Sequence, residues 1–170
     1  MRKLASIKIY KDVVLSMIDG LTYKRVDGAL AGESDQVKNA ISSESDNSHL
    51  DAYLLRGHME VRNAKIRQRL AFCLERDTEE LSATNVLDLN DESFDYTLFV
   101  PEHFDKSRLQ VLTAKINNYL VQGSLYDWYA TQNLKGDVSA DALEDMETEI
   151  VCMLRASFIK RPLQPFGPQK

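Results

Sequence analysis

Apolar residues recur at spacings of three and four from Ile7 through Tyr10, Val14, Met17, Ile18 and Leu21. That period predicts an amphipathic helix from Ile7 onward. The β-branched start, Ile7 and Ile9, leaves a short strand open as the alternative. Gly20 weakens the helix, and Gly28 and Gly32 end the helical stretch beyond it. The stretch "ISSESDNSHLD" has little to bury and reads as an exposed loop near 33–48, with Asn47 or Ser48 placed to cap the next helix.

The second helical pattern runs from about His49 to about Leu81, with a break expected at Gly57. On a helical wheel Ala52, Leu55, Met59, Ile66, Leu70, Cys73 and Leu74 share one side. Leu50, Tyr53, Leu54, Val61, Ala64, Ala71 and Phe72 cover another. A helix apolar on two sides needs two partners, its own core and a second surface. Between the sides runs a basic ridge of His58, Arg62, Lys65, Arg69 and Arg76. Long cationic side chains commonly lay their stems along apolar flanks and keep their heads wet, so the ridge reads first as a solvated rim. A phosphate or partner contact through Arg62, Lys65, Arg69 and Arg76 is the alternative.

"FDYTLFVPEHFD" changes period. Phe94, Tyr96, Leu98 and Val100 alternate with their neighbours, as in a half-buried strand stopped by Pro101. Its mate is either Ile7–Ile9 or a strand of another subunit. Asp105 then caps a long helix through Leu109, Leu112, Ile116, Tyr119, Leu120 and Leu125, with Gly123 suited to a close crossing or a kink. The aromatic cluster at Tyr126, Trp128 and Tyr129 reads as core, with Trp128 an interface anchor as the alternative, and Asp127 beside it as exposed. Ser139 caps a last helix whose stripe is Leu143, Met146, Ile150, Met153, Leu154 and Ser157/Phe158, ended by Pro162. Acidic residues crowd its start and basic ones its end, which suits the helix dipole.

The chain therefore reads as mainly α. It is a bundle of about four helices with a short strand or hairpin, one domain over 1–161, and an extended tail over 162–170. Three of the four prolines lie in that tail. Such a segment holds an extended shape and does not pack into a core. As a docking arm it would present Phe166 as an apolar anchor beside Pro162 and Pro165, with Lys160 and Arg161 meeting carboxylates; as a plain terminus it would simply fray.

Composition narrows the chemistry. A 170-residue chain with 44% hydrophobic and 28% charged residues supports one sizeable core. A net charge of −5 argues against a general phosphate-binding surface. Cys73 and Cys152 sit within apolar helical patterns and read as reduced, buried thiols of a soluble intracellular protein. No apolar stretch reaches membrane-span length, and the basic N-terminus lacks an uninterrupted apolar run. His49, His58 and His103 show no metal-ligand spacing and read as surface or cap residues. "DLNDES" resembles the opening of a calcium loop without its glycine. No phosphate loop or nucleophile elbow is present, so no enzyme activity, cofactor, metal or small-molecule substrate is expected.

The order of "KIYKDVVLSMIDGLTY", a central helix, "FDYTLFVPEHFD", a helix ending near "YDWYA", an acidic helix and "KRPLQP" resembles virion proteins of phages and prophages near the head–tail junction. The resemblance implies a neck or adaptor subunit that joins a ring and contacts sister subunits, the portal or other neck proteins. It would be made in the host cytoplasm and incorporated into the virion, with DNA passing through without being gripped. The competing expectation is a small helical regulatory protein that uses the basic ridge on nucleic acid.

Overall fold

Ile7 and Ile9 are buried while Ser6, Lys8 and Tyr10 are exposed, the alternation of a strand with one face on a core. In the computed structural model, which describes residues 2–29, 48–75, 92–131 and 138–159, the chain opens with β1 (Arg2–Tyr10) and turns directly into α1 (Lys11–Ala29). The helix expected from Ile7 thus begins four residues later, because Ile7 and Ile9 pair across to Tyr96 and Phe94. That pairing also answers where the strand's mate lies. β1 and β2 (Ser93–Pro101) form an antiparallel sheet within one chain, Arg2 opposite Pro101 through Tyr10 opposite Ser93.

The second helix, α2 (Ser48–Leu70), passes through Gly57 without a break and stops well before Leu81. Residues 71–73 turn, and the chain then leaves helical geometry to run beside β2. The Glu75 amide donates to the Thr97 carbonyl at 2.8 Å, and the Phe99 amide to the Cys73 carbonyl at 2.7 Å, around a bridge between Leu74 and Leu98. A strand edge carries unpaired amides and carbonyls, and this short segment satisfies two of those of β2.

The long helix α3 (Lys106–Thr131) lies at the centre, packed on α1, α2, α4 (Ala140–Phe158) and β1. Its Leu112, Ile116, Tyr119 and Leu120 are fully buried, against Val14 and Ile18 of α1, Met59 and Ile66 of α2, and Leu143, Ile150 and Leu154 of α4 within one core. Truncating one such Leu or Ile to Ala costs about 2–5 kcal/mol. Both expected caps form: the Arg108 amide donates to Asp105 Oδ1 at 2.8 Å and the Ala142 amide to Ser139 Oγ at 3.2 Å.

Among the described residues the fold is mainly α, four helices on a two-stranded sheet. No described helix is long and apolar enough to cross a membrane. Cys73 is buried, but Cys152 is exposed, a correction to the expectation of two buried thiols. The last helix ends at Phe158, ahead of Pro162. Pro162 itself, the tail over 162–170 and the loop residues before Ser48 lie outside the described residues.

Candidate functional site

One cation of the basic ridge, Arg62, does not stand at a wet rim. Arg62 is 5% exposed and turns onto α3. Its Nε donates to Asp127 Oδ2 at 2.7 Å and its Nη2 to Asp127 Oδ1 at 2.6 Å, a two-point fork. Gly123 makes room for it: a Cβ there would stand 2.8 Å from Arg62 Cδ. Gly123, read as suited to a close helix crossing or a kink, lies within a continuous helix and instead leaves room for the arginine stem.

The fork is one end of a longer network. The Arg62 guanidinium also stands beside the Tyr119 hydroxyl. That hydroxyl donates to Glu147 Oε1 on α4 at 2.6 Å, and Arg69 Nε donates to Glu147 Oε2 at 3.1 Å. Asp127, Arg62, Tyr119, Glu147 and Arg69 therefore link α2, α3 and α4 through alternating charges that cancel. Burial works to lower the pKa of Arg62, and the fork to Asp127 with the neighbouring Tyr119 hydroxyl more than offsets this, so the guanidinium is held charged. Burial, aided by the bond to Glu147, pushes Tyr119 up to about 12. Burial alone pushes the Cys73 thiol up to about 11. Both groups keep their protons at neutral pH, so neither is an activated nucleophile.

Above the network lies an open groove of about 640 Å³ between α2, α3 and α4. Arg62, Glu147, Tyr126 and Leu143 lie along it, with Lys65, Gln68, Arg69 and Glu144 beside them. Its charges are of both signs, and two of its cations are already paired with carboxylates. No cluster of three His, Cys, Asp or Glu side chains among the described residues is placed to hold a metal ion. A second set of charges joins α1 to α2: Lys11, 3% exposed, pairs with Glu60, and Arg56 reaches Asp12 at 3.4 Å.

The residues singled out in the sequence separate accordingly. Arg62, expected at a wet rim or on a partner, is committed inside the chain, because Asp127 faces it across the α2–α3 contact. Arg69 is half-exposed and held by Glu147. Lys65 is exposed at the groove with no ion-pair partner among the described residues. Trp128 is partly buried against the core and stands edge-on to Tyr129, ring centroids 5.1 Å apart. Asp127, read as exposed, is the half-buried acceptor of the Arg62 fork. His58, read as a surface residue, is half-buried, with Nε2 lacking a hydrogen-bond partner. Arg76, Lys160, Arg161, Pro162, Pro165 and Phe166 lie outside the described residues. Tyr119 and Glu147 were missed as polar participants. Glu147 carried a signal, since it falls four residues after Leu143 and three before Ile150, on the apolar stripe itself.

Comparison of the chain with protein-family models, with curated proteins and with solved structures returns no match.

Proposed function

We propose that the chain is a structural subunit of a tailed phage or prophage virion, a head–tail connector component that builds a ring through contacts with sister copies and meets the portal or neighbouring neck proteins. The observation that carries this reading is the second apolar side of α2. Tyr53 is 60% exposed and Val61 47%, on the side of the helix away from Met59, Ile66 and Leu70. Exposed apolar residues aligned along a helix are what a subunit contact covers. A head-to-tail ring contact needs two surfaces on each copy. A second exposed stripe, Val13, Met17 and Leu21, runs along α1. The segment order from "KIYKDVVLSMIDGLTY" to "KRPLQP" supplies the virion class, and a net charge of −5 suits a wall that DNA slides past.

The nucleic-acid alternative draws less support. Arg62 and Arg69 already hold carboxylates, which leaves Lys65 as the ridge cation without a partner among the described residues.

Sedimentation velocity on the purified chain over a wide concentration range tests the connector reading. Weak, concentration-dependent association is expected, and the double variant Tyr53→Ser/Val61→Ser should lose it. A chain that stays monomeric at every concentration and fails to bind a portal ring, or one that binds duplex DNA with a steep salt dependence, would reverse the conclusion.

A further inference from the structure

Among the described residues the outer edge of β1 is unpaired, and the ladder fixes which backbone groups face it. The Lys11 amide donates to the Glu92 carbonyl, which sets the phase of the β1–β2 register. Hydrogen-bonded and non-bonded pairs alternate along an antiparallel ladder. Ala5, Ile7 and Ile9 therefore exchange bonds with β2, while Leu4, Ser6 and Lys8 turn their N–H and C=O groups to the far side. The outer groups of β2 follow the same phase, and several of them have partners. The Thr97 carbonyl and Phe99 amide bond to the 73–75 segment, and the Asp95 carbonyl accepts from Arg67 Nη1 at 2.7 Å. No described residue does the same for β1.

The open edge is long and regular. Its nine residues pair with β2 without a bulge, and none is proline. Leu4 and Tyr10 stand on its outer face 55% and 51% exposed. Every charge on it is positive: Arg2, Lys3 and Lys8. Asp95 stands across from Lys8, but the register partners of Arg2 and Lys3 are Pro101 and Val100, which carry no charge. Edge lysines oppose pairing with a second copy, since two such strands side by side double a charge that neither offsets. The same charges attract a strand of opposite sign.

We propose that the outer edge of β1 is a docking site for an extended acidic segment of a partner protein. That segment adds as a further strand along Leu4–Lys8, bonding to the outward amides and carbonyls. Side chains alternate between faces along a strand, so the carboxylates line the face that carries Arg2 and Lys8 together with Leu4 and Tyr10, and the segment's other side chains lie on the face of Lys3. Main-chain bonds supply affinity in this mode, and the alternate side chains supply selectivity. The site does not depend on the connector reading, because it uses neither the α2 side nor the ring.

Amide hydrogen exchange of the full chain followed by NMR tests it directly. The probe is a synthetic peptide of about eight residues, a usual strand length, alternating Glu with Val, alongside a twin with Lys in place of Glu. In the free protein the Leu4, Ser6 and Lys8 amides should exchange fast and the Ala5, Ile7 and Ile9 amides slowly. The acidic peptide should slow the first set and leave the second unchanged, and the basic peptide should do neither. Ser6→Pro removes one outward N–H and spares the ladder to β2, so it should weaken acidic-peptide binding roughly tenfold. Should that variant not fold, an acidic peptide N-methylated at alternate amides should show the same loss on the unaltered protein. Arg2→Glu/Lys8→Glu should reverse the preference between peptides. Equal protection by both peptides, no protection by either, undiminished binding to Ser6→Pro, or edge amides already slow because copies of the chain pair, would each overturn the proposal.

Discussion

Arg62 and Asp127 are held together by two hydrogen bonds, yet they are not equally buried. The Arg62 side chain is 6% exposed and that of Asp127 22%. Removing Asp127 strands a largely buried charge without its partner, so Asp127→Ala should cost about 3–5 kcal/mol by urea unfolding. Replacing both partners by apolar residues, Arg62→Met/Asp127→Leu, should recover most of that loss, because no charge is then left buried. Two protons make a second prediction. Burial holds the folded Cys73 thiol up to about 11 against an ordinary 9.0, and Tyr119 up to about 12 against 10.0. The unfolded chain therefore releases these protons first, and the native state binds more protons over that range. Stability should be constant below pH 9 on their account and fall from there towards pH 12. Denaturation at stepped pH checks this, and Cys73→Ala should flatten the fall between pH 9 and 11. Little of this was legible along the chain. The stripe position of Glu147 was visible, but its meaning was not: a carboxylate on an apolar stripe is either a solvated flank or a buried acceptor. The outcome turned on Tyr119 and Arg69 standing opposite it.

The helices themselves were legible, because their signals are local. The Asp105 and Ser139 caps act within a few residues of themselves, and both formed. The apolar spacings of α3 and α4 picked out their buried faces. Element boundaries fared less well where helix competes with strand. Residues 7–10 satisfy both periods at once, and 71–75 continue a helical pattern. Residues 7–10 and 74–75 became extended because β2 lay beside them with bonds to offer. Gly123 joins the two levels. In an isolated helix Gly123→Ala would gain about 1 kcal/mol. Here the new methyl meets the Arg62 stem at 2.8 Å, and overpacking of that kind costs about 1–3 kcal/mol. Gly123→Ala alone should therefore be net destabilising, and in an Arg62→Ala background it should become stabilising by about 1 kcal/mol. Unfolding of the two singles and the double closes the cycle.

For the molecule as a whole, the test is whether surfaces outside the core carry the function. Tyr53→Ser/Val61→Ser should change folding stability by no more than about 0.5 kcal/mol, as exposed substitutions do. The loss of self-association expected of the same variant would then belong to the surface and not to unfolding. A double variant that unfolds several degrees early would place that side in the chain's own core. The spacing of apolar residues, the caps and the charge balance set the helical class and the two-sided character of α2, since each acts through neighbours within a turn or two. Which strand meets β2, where α2 ends, and that Arg62 lies inside and not at a rim were settled by residues tens of positions away. A paired edge or a buried charge depends on what stands across from it, and that is known only once the chain has closed on itself.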